Sequence, residues 1–196
     1  MRLHFGAFNC PREGWINTDV TPHVHISRIP GLARVIHALG KMSDQRLVEH
    51  QRGVFRKVEY LDVTKPWRYG SGSFDAIFSS HVFEHLPLHG ARNCLKESYR
   101  CLKTGGVIRL SVPDLDAYIS RYLPEHSLDW AIGFFEANET SEKNMHHFMY
   151  NFDSLSALLH SVGFSSIQRQ HYKQGRCPDV EKMDNRPDSL FVEAIK

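Results

Sequence analysis

Two aspartates stand at matching places in the chain. Asp19 and Asp62 each close a β-rich run, and Val-Thr follows each of them. A carboxylate at a strand end can accept both hydroxyl hydrogens of a vicinal diol such as that of ribose. That reading suits Asp19, while Asp62 suits an exocyclic amine. Both residues also suit turn caps, and both readings stay open for each. His146 and His147, with Tyr150 near them, carry imidazoles, the side chain most often used as a general base. Asp114, after Pro113, is a third candidate. His81-Val82-Phe83-Glu84-His85 spells the H-x-x-E-H zinc-protease pattern. That chemistry needs both histidines on one face of a long helix, a third ligand and an open position. A strand ends just before His81 and Pro87 follows soon after His85, so no such helix fits and no metal is expected.

The elements that must position these groups alternate between strand and helix. Strand-like runs cover residues 2–8, 15–20, 55–61, 74–80, 107–112, 164–172 and 190–195. Helical spacing covers 28–39, 43–51, 88–103, 116–122, 128–137 and 154–162. Ser43 and Asp153 read as N-caps. Gly53, Gly163 and the Thr104-Gly105-Gly106 run read as helix stops. Repeated strand–helix–strand units predict a single α/β domain over residues 1–196, a parallel sheet with helices on both faces and an antiparallel closing pair. Residues 9–14 are too few for a crossover helix, so a tight loop must join the first two strands. In such sheets ligands bind beyond the carboxyl ends of the strands. The candidates there are Gly6-Ala7-Phe8, Asp19, Asp62, Ser79-Ser80-His81 and Asp114. The polar stretch 139–151 should cross the same rim, and of two adjacent histidines only one should face inward.

Composition narrows the function. With 196 residues, 41% hydrophobic and 23% charged, the chain is globular. A net charge of +2 (24 basic, 22 acidic residues) gives no reason to expect nucleic acid or a membrane surface as partner. Cys10, Cys94, Cys101 and Cys177 form no C-x-x-C pair. The opening MRLHFGAFNC lacks an apolar signal core, and no run approaches the ~18 apolar residues of a membrane span. A reduced, cytoplasmic, soluble protein is expected. Arg92, Lys96, Arg100 and Lys103 form a solvated stripe opposite Ala91, Cys94, Leu95 and Leu102. Trp15 reads as core, and Trp67 as either core or site.

The segments LHFGAFNCPREGWINTDV, YLDV, FDAIFSSHVFEHL and LKTGGVIRLSVPDL resemble, in order and spacing, the class I S-adenosylmethionine-dependent methyltransferases. The nearest in kind are small methyltransferases without an assigned acceptor. The resemblance implies a Rossmann-like, doubly wound, seven-stranded sheet, mostly parallel with an antiparallel last strand. It also implies S-adenosylmethionine as cofactor, held at Gly6, Ala7 and Phe8, Asp19, Asp62 and Val63, Ser80 and His81. The family loop has a second glycine where this chain has Phe8, whose ring either fills the space or swings out as a wall. Methyl transfer to an O or N atom of a small-molecule or glycan-like acceptor is the expected function. The alternative is a non-catalytic methyltransferase-like binding protein.

Overall fold

The computed structural model describes residues 1–125 and 145–196. These form two compact units, Met1–Asp62 and Val63–Lys196. The first holds three parallel strands, β1 (Arg2–Phe5), β2 (Ile16–Asp19) and β3 (Val58–Tyr60), with β2 in the middle. Helices α1 (His23–Ile26), α2 (Leu32–Ala38) and α3 (Asp44–Gln51) lie between β2 and β3 in the chain. The second unit contains β4 (Phe74–Ser80), α4 (Leu88–Cys101), β5 (Leu102–Pro113) and α5 (Leu115–Glu125). It continues with α6 (Phe152–Val162), β6 (Ser165–Gln170), α7 (Val180–Met183) and β7 (Ser189–Ile195). β4 and β5 are parallel, and β7 is antiparallel to both β5 and β6. The strand order is β3-β2-β1 in the first unit and β4-β5-β7-β6 in the second, seven strands of a Rossmann-like fold, mostly parallel with an inserted antiparallel last strand. Among the described residues no helix is long and apolar enough to cross a membrane.

Local chemistry accounts for these elements. The Ser43 hydroxyl accepts from Arg46 N at 3.3 Å and starts α3, while Gly53 in the left-handed region follows its end. Residues 6–15 join β1 to its parallel neighbour β2 without a helix. The amides of Gly6 and Ala7 instead both donate to Thr18 O, at 2.9 and 3.0 Å. Phe74, Ile77 and Phe78 of β4 pack in the core of the second unit with Leu95, Ile108, Leu159 and Phe191, all fully or almost fully buried. Trp15 and Trp67 are both core residues, and Trp67 Nε1 donates to Val63 O at 3.2 Å. Ala91, Cys94, Leu95 and Leu102 are buried, and Arg92, Lys96 and Lys103 are exposed on the opposite side of the stripe.

Several boundaries differ from the sequence pattern. The helix expected over 28–39 begins only at Leu32, because Pro30 disfavours helix before it and Gly31 turns at φ +78°. Residues 55–57 alternate like a strand but belong to a 3₁₀ turn, Val54–Lys57, which buries Phe55. Helix α4 stops at Cys101, so Thr104-Gly105-Gly106 is no C-cap. It lies within β5, where a Cβ on Gly106 would sit 2.9 Å from Lys103 O. The cap of α6 is Asn151, not Asp153. Asn151 Oδ1 accepts from Ser154 N at 3.0 Å, and Ser154 Oγ accepts from Asn151 N at 3.1 Å. The helix expected over 128–137 lies outside the described residues.

Acid should weaken the first unit. His4 is 5% exposed and its Nδ1 lies 3.2 Å from Asn17 Oδ1. Burial, against the opposing pull of that bond, lowers its pKa from 6.5 to about 4. The unfolded chain then binds the proton more tightly. His4's contribution is therefore full above pH 6.5 and is lost as pH falls towards 4, by about 3 kcal/mol in all. Burial also lowers His23 and His50, which act in the same direction. Urea unfolding at pH 7 and pH 4.5 should show a loss about 2–3 kcal/mol smaller in His4→Gln than in the parent. Equal losses in both would remove His4 from the account.

Candidate functional site

In the first unit the site is built around Asp19. Its Oδ2 accepts from Phe8 N at 3.0 Å and its Oδ1 from Thr21 N at 2.7 Å. Each oxygen keeps a lone pair for a further donor. Burial raises the Asp19 pKa, and the amides of Thr21, Phe8 and Val20 pull it back. The turn-cap and diol readings of this residue are thus compatible, because the bonds that cap the turn also aim the carboxylate. The loop that Asp19 holds turns at Gly6, φ +76°, and at Phe8, φ +40°, a conformation side chains rarely adopt. The Phe8 ring swings out. Arg46 of α3 stands 4.4 Å over it, and Phe55 and His23 pack at 6.1 and 6.4 Å. Asn9, next in the loop, donates to Glu49 of α3 at 2.9 Å. Asp62 lies just past β3, whose Tyr60 pairs with Asp19, so both carboxylates belong to one rim.

In the second unit the chain leaves β4 at Ser80 and enters a strained turn. Ser80 Oγ lies 3.4 Å from Asn185 Oδ1. His81 has φ +53°, and its amide donates to Ser111 O at 2.8 Å. Its Nε2 lies 2.8 Å from Ser189 Oγ, while its Nδ1 lies 3.3 Å from Arg186 Nη1 and 3.0 Å from Glu84 Oε1. Backbone strain held by several side-chain contacts is a mark of functional turns. His81 faces a cavity of about 370 Å³ also lined by Tyr118, Arg121, Arg186, Asp188 and Ser189. Val63 is buried at the start of this unit.

The three expected bases fall elsewhere. Asp114 Oδ1 accepts from Asp116 N at 3.1 Å, at the start of α5, and its Oδ2 accepts from Arg169 at 2.5 Å. The segment 145–151 does cross the rim of this unit. His147 N and Phe148 N donate to Glu84 O at 2.7 and 3.2 Å, and Tyr150 bridges Asp114. His146 is buried beside His85, ring centroids 5.0 Å apart, and His147 is exposed. None of the three lines the 370 Å³ cavity. Sequence reasoning missed Tyr118, Arg186 and Ser189. Arg186 comes from the loop before β7 and Ser189 is the first residue of β7, and neither stands in a local motif.

A family model described as a methyltransferase domain matches residues 20–169. The chain belongs to that family. Its fold is shared with a SAM-dependent methyltransferase of Thermotoga maritima described as a possible histamine N-methyltransferase. The TM-score is 0.55 and the identity 13%, over 100% of this chain and 81% of that one. A SAM-dependent methyltransferase of Archaeoglobus fulgidus gives 0.57 and 16%, over 100% and 85%. At these identities the likeness is one of fold. No protein of curated function matches the sequence. This methyltransferase uses S-adenosylmethionine.

Proposed function

We propose that this methyltransferase acts on an O or N atom of a small-molecule or glycan-like acceptor held beside His81. The observation that carries the reading is the cavity of about 370 Å³ at the end of β4, a size suited to a small ligand. When bound, the cofactor supplies an electrophilic methyl group on a sulfonium. Asp19 would accept from its ribose diol and Asp62 from its adenine amine. The Gly6-Ala7-Phe8 loop, Val63 and Ser80 are the further residues that the resemblance assigns to holding it. Tyr118, Arg121 and Arg186, which line the cavity with His81, would hold and orient the acceptor there. His81 takes the proton of a hydroxyl acceptor, in the place first given to His146, His147 or Asp114. The whole chain, 1–196, acts as one methyltransferase domain. Its four free thiols agree with a reducing compartment, the cytoplasm.

Incubation with methyl-labelled cofactor and a metabolite extract tests this. A labelled small product is expected, and His81→Ala should lower its formation by about 10²–10⁴-fold while cofactor affinity stays intact. Undiminished turnover in His81→Ala would move the base elsewhere. A second reading, binding without transfer, is favoured by Phe8 standing at φ +40° where the family loop has glycine. S-Adenosylhomocysteine that binds while no extract component is ever labelled would decide for it.

A further inference from the structure

We propose that Glu84, His85 and His146 bind a divalent transition-metal ion, zinc by ligand type. Three observations meet in the second unit. One ligand atom from each residue lies within 4.8 Å of the other two. The Glu84 side chain is fully buried; His81 Nδ1 lies 3.0 Å from its Oε1, and among the described residues its Oε2 has no hydrogen-bond partner. A carboxylate taken out of water in that state calls for a cation or a proton. His85 Nδ1 lies 3.4 Å from Met145 O, which leaves Nε2 for an ion. A backbone carbonyl on the other ring nitrogen is the usual way a metal-binding imidazole is oriented.

The H-x-x-E-H spacing hid this arrangement. That pattern pairs His81 with His85 along a helix, but Glu84 and His85 sit in a 3₁₀ turn, Phe83–His85. The third ligand arrives from far along the chain. The segment carrying His146 is pinned here by the two amides that donate to Glu84 O. His81 stays outside the set, its Nδ1 3.0 Å from Glu84 Oε1, where it orients the carboxylate. Two imidazoles and one carboxylate suit zinc and leave a fourth position for water, whereas magnesium and calcium take oxygen ligands. Zinc bonds of about 2.0–2.1 Å place tetrahedral donors about 3.4 Å apart, so the three ligand atoms, now within 4.8 Å of one another, need to draw in by about 1.4 Å at most. The site does not depend on which acceptor the enzyme uses.

The test uses the full chain, stripped with a chelator, dialysed and titrated with zinc, with cobalt(II) as a spectroscopic substitute. Expected are one zinc per chain, the visible bands of tetrahedral cobalt, and a melting temperature raised by zinc but not by magnesium. Glu84→Gln and His146→Ala should each weaken zinc binding by about 100-fold or more, since outer-sphere changes alone cost about 10–100-fold. His147→Ala, on the exposed neighbour, should leave it unchanged. Absence of stoichiometric zinc, or an octahedral cobalt spectrum, overturns the site. So does zinc binding that survives Glu84→Gln or falls equally in His147→Ala. If either ligand variant fails to fold, stoichiometry and the cobalt spectrum of the parent protein decide.

Discussion

Asp19→Ala is expected to weaken S-adenosylhomocysteine binding by about 10²-fold or more. Two charge-assisted bonds to the diol, each contributing roughly 1.5–3 kcal/mol, would be lost together. The loop would be released as well, because Phe8 N and Thr21 N lose their acceptor. The cost to folding should be smaller, about 1–2 kcal/mol, the usual worth of a capping side chain. Titration calorimetry and thermal melts on the same preparations separate the two effects. Asp19→Asn, which keeps one acceptor oxygen, should fall between the parent and Asp19→Ala in affinity. Affinity within about threefold of the parent in Asp19→Ala would reduce Asp19 to a turn residue, since the lost bonds predict far more.

The largest loss of stability should come from Arg109→Met. Arg109 lies in the middle of β5 with no exposure. Its Nε and Nη2 donate to the two oxygens of Asp184 at 3.0 and 2.6 Å, and its Nη1 donates to Glu193 at 2.9 Å. It also donates to Gln174 O and His171 O, at 2.9 and 3.1 Å. Methionine fills the volume but leaves two buried carboxylates without a cation. Breaking such a group typically costs about 3–5 kcal/mol, which is about 6–20 °C in melting temperature for a chain of this size. Differential scanning calorimetry reads it. Neutralising the carboxylates too, in Arg109→Met/Asp184→Asn/Glu193→Gln, should recover part of the loss. The amides of Lys173, Arg176 and Cys177, which also bond to these carboxylates, would keep neutral acceptors. A drop below about 1 kcal/mol in the single variant would show that the carboxylates simply take up protons.

What could be read from the sequence was local. The FDAIFSS run is β4 to the residue, because an apolar strand between turn signals has no competing period. Ser43, Gly53 and Gly163 punctuate helices through bonds and dihedrals that involve only near neighbours. The helix-free link from β1 to β2 followed from chain length alone. What escaped was set by distant partners. Nothing around VIRLSV says that Arg109 is buried, since its counter-charges lie 75 and 84 residues further on. The surroundings of His81 depend on Arg186 and Ser189, 105 and 108 residues away. Gly105 and Gly106 resemble a helix stop until the chain close to them is known. The rule that neighbouring side chains in an extended segment point apart separated a buried His146 from an exposed His147, but it could not say what His146 would meet.

The place of β7 between β5 and β6 bears on how the protein is made. A ribosome delivers β5 and its arginine first, then β6, and the strand that must lie between them last. Until residues 189–195 emerge, the facing edges of β5 and β6 have no ladder partner, and Arg109 lacks Glu193. At roughly 5–20 residues per second, the 84 residues from Arg109 to Glu193 take about 4–17 s to synthesise. Throughout that interval the nascent second unit carries an open sheet edge, and Arg109 has at most one of its two carboxylate partners, Asp184; the open edge favours chaperone capture over premature closure. Docking of β7 then forms two ladders and brings Glu193 to Arg109, so the sheet of this unit closes only once β7 has been made.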